Sequence, residues 1–195
     1  MIGRIASIAI LFIFAALMSG CASTPASHFY TLSAASTPAT TSSNLSVTVG
    51  PVSVPATVDR PEIVVDTSAN EVWLDEFNRW AAPLQEDLSR VIAENLVGML
   101  GTSRVTRFPQ TLSTDADYRV AIEVQRFESA PGKAATLHAV WIVRRAMDGQ
   151  VQTGRTSVRE MVHGNSYDAL AAAHSRAAAR LSQDIADALL ALASR

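Results

Sequence analysis

Apolar residues recur along this chain at two spacings, one of two and one of three to four, and an unbroken apolar run precedes both. Leu84, Leu88, Val91, Ile92, Asn95, Leu96 and Leu100 follow the longer spacing, while Glu86, Asp87, Arg90 and Glu94 occupy the other faces. That pattern predicts an amphipathic helix. Pro83 opens it, where a missing N–H costs nothing, acids in its first turns suit the helix dipole, and Gly101 is a good terminator. A second stripe, Leu170, His174, Ala177, Leu181, Ile185, Leu189 and Leu192, predicts a last helix whose caps come from Gly164-Asn165-Ser166. Its dense alanine suits close packing on a sheet or on the other helix.

Strand patterns lie between and before these helices. Tyr118, Val120, Ile122 and Val124 alternate with Arg119, Glu123 and Gln125, which predicts a half-buried strand. After a turn over residues 129–133, Leu137, Ala139, Trp141 and Val143 form one face of a longer strand, with Val140 and Ile142 opposite. Asp148-Gly149 is a hairpin signal leading into a strand over 150–162. Upstream, residues 45–49 alternate, Gly50-Pro51 marks a break or an edge position, and Val52 and Val54 continue extended. Residues 63–66 and 71–74 read as a hairpin turning at Ser68-Ala69-Asn70, and residues 28–32 as a short strand. The order strand, hairpin, helix, three antiparallel strands, helix predicts an α/β (α+β) two-layer sandwich. Its sheet should be mixed but mostly antiparallel, with two helices packed on one face and the other face partly available. Residues 28–195 form a single domain in this reading.

The unbroken run is different in kind. Met1-Ile2-Gly3-Arg4 carries one positive charge, residues 8–18 carry none, and the run ends in Met18-Ser19-Gly20-Cys21. A positive start, an apolar stretch and a small-residue exit describe a secretory signal, too short for a spanning helix with flanks. Residues 1–20 are therefore read as a lipoprotein signal peptide. Residues 21–27 are a lipidated N-terminus and tether, and residues 33–44 a flexible Ser/Thr/Pro-rich loop. The resemblance of this exit to the lipobox of bacterial lipoproteins implies a diacylglycerol thioether and an N-acyl chain on Cys21. An ordinary signal with an incidental cysteine, or an uncleaved anchor, is the alternative. One acyl chain binds a bilayer only marginally, whereas several make residence stable. In sorted lipoproteins Asp after the cysteine retains the protein at the inner membrane. Ala22 carries no such signal, which favours the periplasmic face of the outer membrane. The six residues from Ala22 to Ser27 span at most about 20 Å, so the domain should sit near its membrane.

Composition narrows the partners. The full chain has 195 residues with 16 basic and 18 acidic side chains, and loss of residues 1–20 removes only Arg4 from that count. A slightly acidic chain is no nucleic-acid binder. With its single cysteine acylated, no disulfide can form. The charge is nevertheless uneven: residues 59–94 hold nine acids against Arg60, Arg79 and Arg90. Residues 119–159 hold six arginines and Lys133 against Glu123, Glu128 and Asp148. Both regions can be solvated faces. The alternative is an acidic region of one subunit meeting a basic region of the next, including Arg144 and Arg145, in a homo-oligomeric ring.

Catalytic chemistry is not legible. Residues 149–156 have phosphate-loop spacing with Arg155 for the usual Lys, but the loop requires a strand before it and a helix after it. Here a hairpin turn precedes and a strand follows. The four histidines lack metal-ligand spacing, and His174 on an apolar stripe reads as a partly buried, hydrogen-bonded residue. No G-x-S-x-G elbow occurs. The sequence therefore predicts neither an enzyme nor a bound metal or cofactor.

Residues 47–55 (VTVGPVSVP), 58–64 (VDRPEIV), 77–84 (FNRWAAPL) and 90–96 (RVIAENL) together resemble the PqiC family, the auxiliary lipoproteins of ABC-type, MCE-domain lipid transport systems. Phe29-Tyr30-Thr31-Leu32 and the alanine-rich final helix match too. Phe77, Ala82 and Ala56-Thr57 depart from the family's usual residues. The resemblance implies a non-enzymatic outer-membrane component that docks or receives the periplasmic tunnel of an MCE protein moving phospholipids between membranes. Trp80, beside Pro83 and the loop between Pro55 and Pro61, then reads as part of a rigid docking edge with Arg60 and Arg79, or as a plug sealing the helix start. A lipid-binding module with its own apolar cavity, and a purely structural envelope lipoprotein, are the alternatives.

Overall fold

The computed structural model of the protein describes residues 25–35, 42–109 and 116–194. The predicted signal segment and Cys21 lie outside the described residues. The elements in order are β1 (His28–Tyr30), β2 (Val47–Ser53), β3 (Glu62–Ser68), β4 (Glu71–Trp80), α1 (Leu84–Leu100), β5 (Val105–Arg107), β6 (Tyr118–Ala130), β7 (Ala134–Arg145), β8 (Val151–Met161) and α2 (Tyr167–Ala193). Both predicted helices form where their stripes place them. Gly101 closes α1 in the left-handed conformation at φ 60°, and the Ser166 hydroxyl caps α2 by accepting from the Ala169 N–H at 3.1 Å.

The α+β sandwich class holds, but the strands divide into two mixed sheets rather than one. A five-stranded sheet runs β5-β2-β6-β7-β8, with β2 parallel to both of its neighbours and β6, β7 and β8 antiparallel. A three-stranded sheet runs β1-β4-β3, with β1 parallel and β3 antiparallel to β4. The helices pack on each other, α1 against β2 and β5, and α2 chiefly against β7 and β8. The buried faces of β6 and β7 meet them through Val120, Ile122, Leu137, Ala139 and Val143. Leu88, Leu96, Leu181 and Ile185 close the core from the helix side. The alanines of α2 let its backbone approach closely. Its C-terminal carbonyl at Leu192 is capped by Arg145.

Three departures from the sequence pattern have local causes. First, β4 does not end at Leu74 but continues to Trp80, because a bulge over residues 76–78 interrupts its pairing with β3. Asp75 makes that bulge tolerable. Its buried carboxylate accepts from the Phe77 and Asn78 N–H groups at 3.0 Å each, from the Asn78 amide at 2.9 Å and from the Tyr167 hydroxyl at 2.6 Å. Second, Gly50-Pro51 does not end β2; it bulges the strand between Val49 and Val52. Gly50 has φ 120°, and a Cβ there would meet the Phe108 side chain at 3.2 Å. Third, β5 is three residues long and shows no periodicity of its own. Residues 149–156 carry no phosphate loop: β8 runs through them, and Gly154 lies beneath the Trp141 ring, whose N–H donates to the Thr156 hydroxyl at 3.1 Å.

The chain after β1 is fastened to both helices by buried polar groups. Asp87 was expected on a solvated helix face, but it is buried and accepts from the Leu32 N–H at 2.7 Å, while Arg90 pairs with it. Ser175 accepts from the Ser33 N–H at 3.0 Å and Asn95 from the Ala35 N–H at 2.9 Å. Asn95, on the apolar stripe, also donates to Ser182 at 3.2 Å. The described parts of the stretch 33–44 are therefore held: residues 33–35 as above, and Ser43 through its N–H to the Leu100 carbonyl.

Candidate functional site

The face of the five-stranded sheet away from the helices carries the molecule's most distinctive charge arrangement. Arg119 of β6 stands directly opposite Arg144 of β7, and Thr48 of β2 stands opposite Arg119 on the other side. Directly opposed residues have Cβ atoms roughly 5 Å apart, and like charges there repel. Among the described residues neither guanidinium forms an ion pair, although six other pairs do. A cleft of about 420 Å³ opens beside them, lined also by Pro51, Phe108, Ala121 and Ile142. Phe108 and Ile142 are exposed. Two unneutralised cations beside apolar surface suit a partner that brings both negative charge and apolar contact.

The other residues singled out in the sequence sit elsewhere. Arg145, next to Arg144, points away from this face and is already engaged. It pairs with Asp148 at 2.7 Å and donates to the Leu192 carbonyl at 2.8 Å. The Asp148 hydrogen bond raises its pKa, and the same bond lowers that of Asp148. Arg145 thus caps α2 and holds the β7–β8 turn. Arg60, Arg79 and Trp80 gather at the far corner, around a second cleft of about 560 Å³ that also involves Phe29 and Pro83. There Arg79 pairs with Glu62, whose pKa falls through that bond. Trp80 is buried, with Phe127 and His174 each edge-on to it at 6.0 Å between ring centres. Its indole fills the joint between the two sheets and is not free for docking.

His174 completes that joint. It stacks on Phe127 at 3.9 Å, its Nε2 lies 2.8 Å from the Ser129 hydroxyl, and full burial pushes its pKa down to about 3. A neutral imidazole wedged between rings is packing material. Among the described residues, no group of three His, Cys, Asp or Glu side chains converges on a metal position, and no helix is long and apolar enough to cross a membrane.

Comparison with known proteins places this geometry in a family. The family model for the ABC-type transport auxiliary lipoprotein component matches residues 30–186. The chain belongs to that family. Its fold is similar to a crystal structure of an uncharacterized protein at 21% identity, with a TM-score of 0.69 over 85% of this chain and 99% of the other. It is also similar to protein XCC0632 from Xanthomonas campestris at 22% identity, with a TM-score of 0.67 over 82% and 93% of the two chains. No curated protein matches the chain. The resemblance read from the VGPV, DRP and RWAAPL segments is thus the family shown here, and the protein is a transport-associated lipoprotein.

Arg119, Thr48 and Phe108 were not singled out in the sequence. Arg119 was visible only as one polar position on an alternating strand. Its partner across the sheet depends on a one-residue bulge at Gln125, between Val124 and Arg126. Counted back from the β6–β7 turn without that bulge, Arg119 would face Arg145 instead.

Proposed function

We propose that the protein is a non-enzymatic, lipid-anchored subunit of an MCE/ABC-type system that moves phospholipids between membranes, held at the periplasmic face of the outer membrane by acyl groups on Cys21. The family match over residues 30–186 carries this reading. In it, the open face of the five-stranded sheet around Arg119 and Arg144 receives the MCE-domain partner. Copies of the chain associate head to tail around that partner's axis, as the uneven charge distribution favours. Five of the nine acids between residues 59 and 94 are already used within the chain, Glu62 by Arg79, Asp87 and Glu94 by Arg90, Asp75 by Tyr167 and Glu71 by Thr67. The head-to-tail contact therefore draws on fewer free acids than the sequence alone suggested.

The test is co-purification from detergent-solubilised membranes. Wild-type protein should bring down an MCE-domain protein, and an Arg119→Glu/Arg144→Glu variant of unchanged thermal stability should not. Equal recovery by both would remove the open face from the reading. Failure of the wild type to recover any MCE protein would remove the partner.

A further inference from the structure

The tip of the β3–β4 hairpin is bare on both sides. Val72, Trp73 and Leu74 are three consecutive residues, 52%, 54% and 38% exposed. Consecutive strand residues point to opposite faces, so neither face of the tip is covered at this point. The edge is open too: among the described residues β1 pairs with β4 only from Asn78 to Trp80, leaving the Glu71–Phe77 stretch without a neighbour on that side. Trp73 is the one exposed tryptophan of the three, since Trp80 and Trp141 are buried. Exposed apolar strand surface at an open edge is an aggregation liability unless something covers it.

The direction of β1 identifies the cover. β1 runs parallel to β4 with His28 opposite Asn78, so the chain enters β1 from the side of β4 that leads back to the hairpin tip. Trp73 lies five residues up β4 from Asn78, less than about 17 Å at strand rise because the bulge over residues 76–78 shortens the path. The tether between Cys21 and His28 is seven residue steps and reaches at most about 25 Å. The chain leading from Cys21 therefore enters β1 at the end of the molecule that carries the bare tip, and a lipid anchor on so short a tether would make the bilayer the surface facing that end. Trp at the headgroup level, flanked by aliphatic side chains, is the side-chain set that settles at a membrane interface. Glu71 at the turn is held by the Thr67 hydroxyl at 2.9 Å.

We infer that the β3–β4 tip, through Val72, Trp73 and Leu74, inserts into the interfacial layer of the membrane that holds Cys21, as a second contact that fixes the domain's orientation on the lipid surface. This inference rests on the lipid-anchor reading given above. The test uses the full lipidated chain in vesicles of phosphatidylethanolamine and phosphatidylglycerol, part of them carrying bromine near the top of the acyl chains. Bromine quenches only tryptophan that reaches it. Wild-type emission should be quenched, and Trp73→Phe, a conservative change at an exposed site, should lose that quenching because the two remaining indoles are buried. Val72→Ser/Leu74→Ser should reduce the wild-type quenching while the protein still floats with the vesicles. A lipidated, floating protein whose quenching is the same with and without Trp73 overturns the hairpin contact alone. A protein with no acyl groups on Cys21 by mass spectrometry, and none floating, overturns the anchor reading and the hairpin contact with it.

Discussion

The two sheets are held together by different means. The five-stranded sheet also has a three-residue strand and bulges, but its β6 and β7 are long and alternate apolar and polar residues, and two helices bury its inner face under leucine, isoleucine and alanine. The three-stranded sheet has one three-residue strand, a bulge and a bare tip, and buried polar groups tie it down: Asp75 across its bulge, and Asp87 to the segment that follows β1. Trp80, Phe127 and His174 join the two. Apolar burial is non-directional and adds up over many residues. A carboxylate network is directional and fails when one group is lost. Stability should therefore be spread widely over the helix-covered sheet and concentrated in single residues of the small one, which leaves the small sheet's tip and the large sheet's open face free for contacts.

The largest effect should come from placing a charge under the helices. Leu88→Asp and Leu181→Asp each put a carboxylate where the side chain is fully buried among apolar groups, and each should cost about 4 kcal/mol or more, enough to abolish cooperative unfolding. A thermal melt with little change would mean that the large sheet is not held by its helices. Next, Asp75→Ala removes the acceptor of four hydrogen bonds and should cost about 3 kcal/mol. Hydrogen exchange should show the loss concentrated in β4 and its contact with Tyr167. Loss spread evenly over β6 to β8 would erase the contrast between the sheets.

A smaller effect tests the joint. Burial holds His174 neutral, with a pKa of about 3 against 6.5 for an unperturbed histidine. Its folded-state value is depressed, so the unfolded chain takes up the proton first. The stabilisation is complete above pH 6.5 and is lost as pH falls toward 3. Buried or bonded carboxylates such as Asp75 and Glu62 titrate lower, their pKa values already reduced. Asp66 is shifted the other way, its pKa raised by burial, so it opposes any loss on acidification. Between pH 6.5 and 4.5 the fall in stability should therefore belong mainly to His174, and His174→Phe should remove it while keeping the ring stack on Phe127. An unchanged slope would place the titrating group elsewhere. The smallest effect is at the open face. Arg119→Ala relieves repulsion with Arg144 and should change stability by no more than about 0.5 kcal/mol in urea melts. A clear loss would show that Arg119 is structural there, not held for a partner.

The contrast between the sheets also explains what the sequence disclosed. The helices, β6 and β7 were legible because each repeats one period over many residues, β8 because Asp148-Gly149 announces its hairpin, and the family segments because they are local. The strands of the three-stranded sheet were legible one by one, as the hairpin over residues 63–74 and the short strand at 28–32, but their assembly into a separate sheet and the acids that hold it were not. Asp75 reads as a turn acid until Tyr167, 92 positions later, is brought to it, and Asp87 reads as a solvated helix acid until the segment after β1 lies across it. The open-face pair failed for a subtler reason. Arg144 follows Val140 and Ile142 on the outer face of β7 by simple alternation, but the bulge at Gln125 in β6 decides whether Arg119 joins it there or turns inward beside Arg145. Register is a long-range property, and a one-residue shift reverses every face.

The central claim is that the open face around Arg119 and Arg144 meets the MCE-domain partner while the helix-covered side does not. A photo-crosslinking residue placed at position 144 in living cells tests it most directly, with position 190, exposed on α2, as the control. The account predicts an adduct between position 144 and the MCE-domain protein, identified by peptide sequencing, and none from position 190. Equal adducts from both positions, or adducts with that protein from position 190 alone, would contradict it.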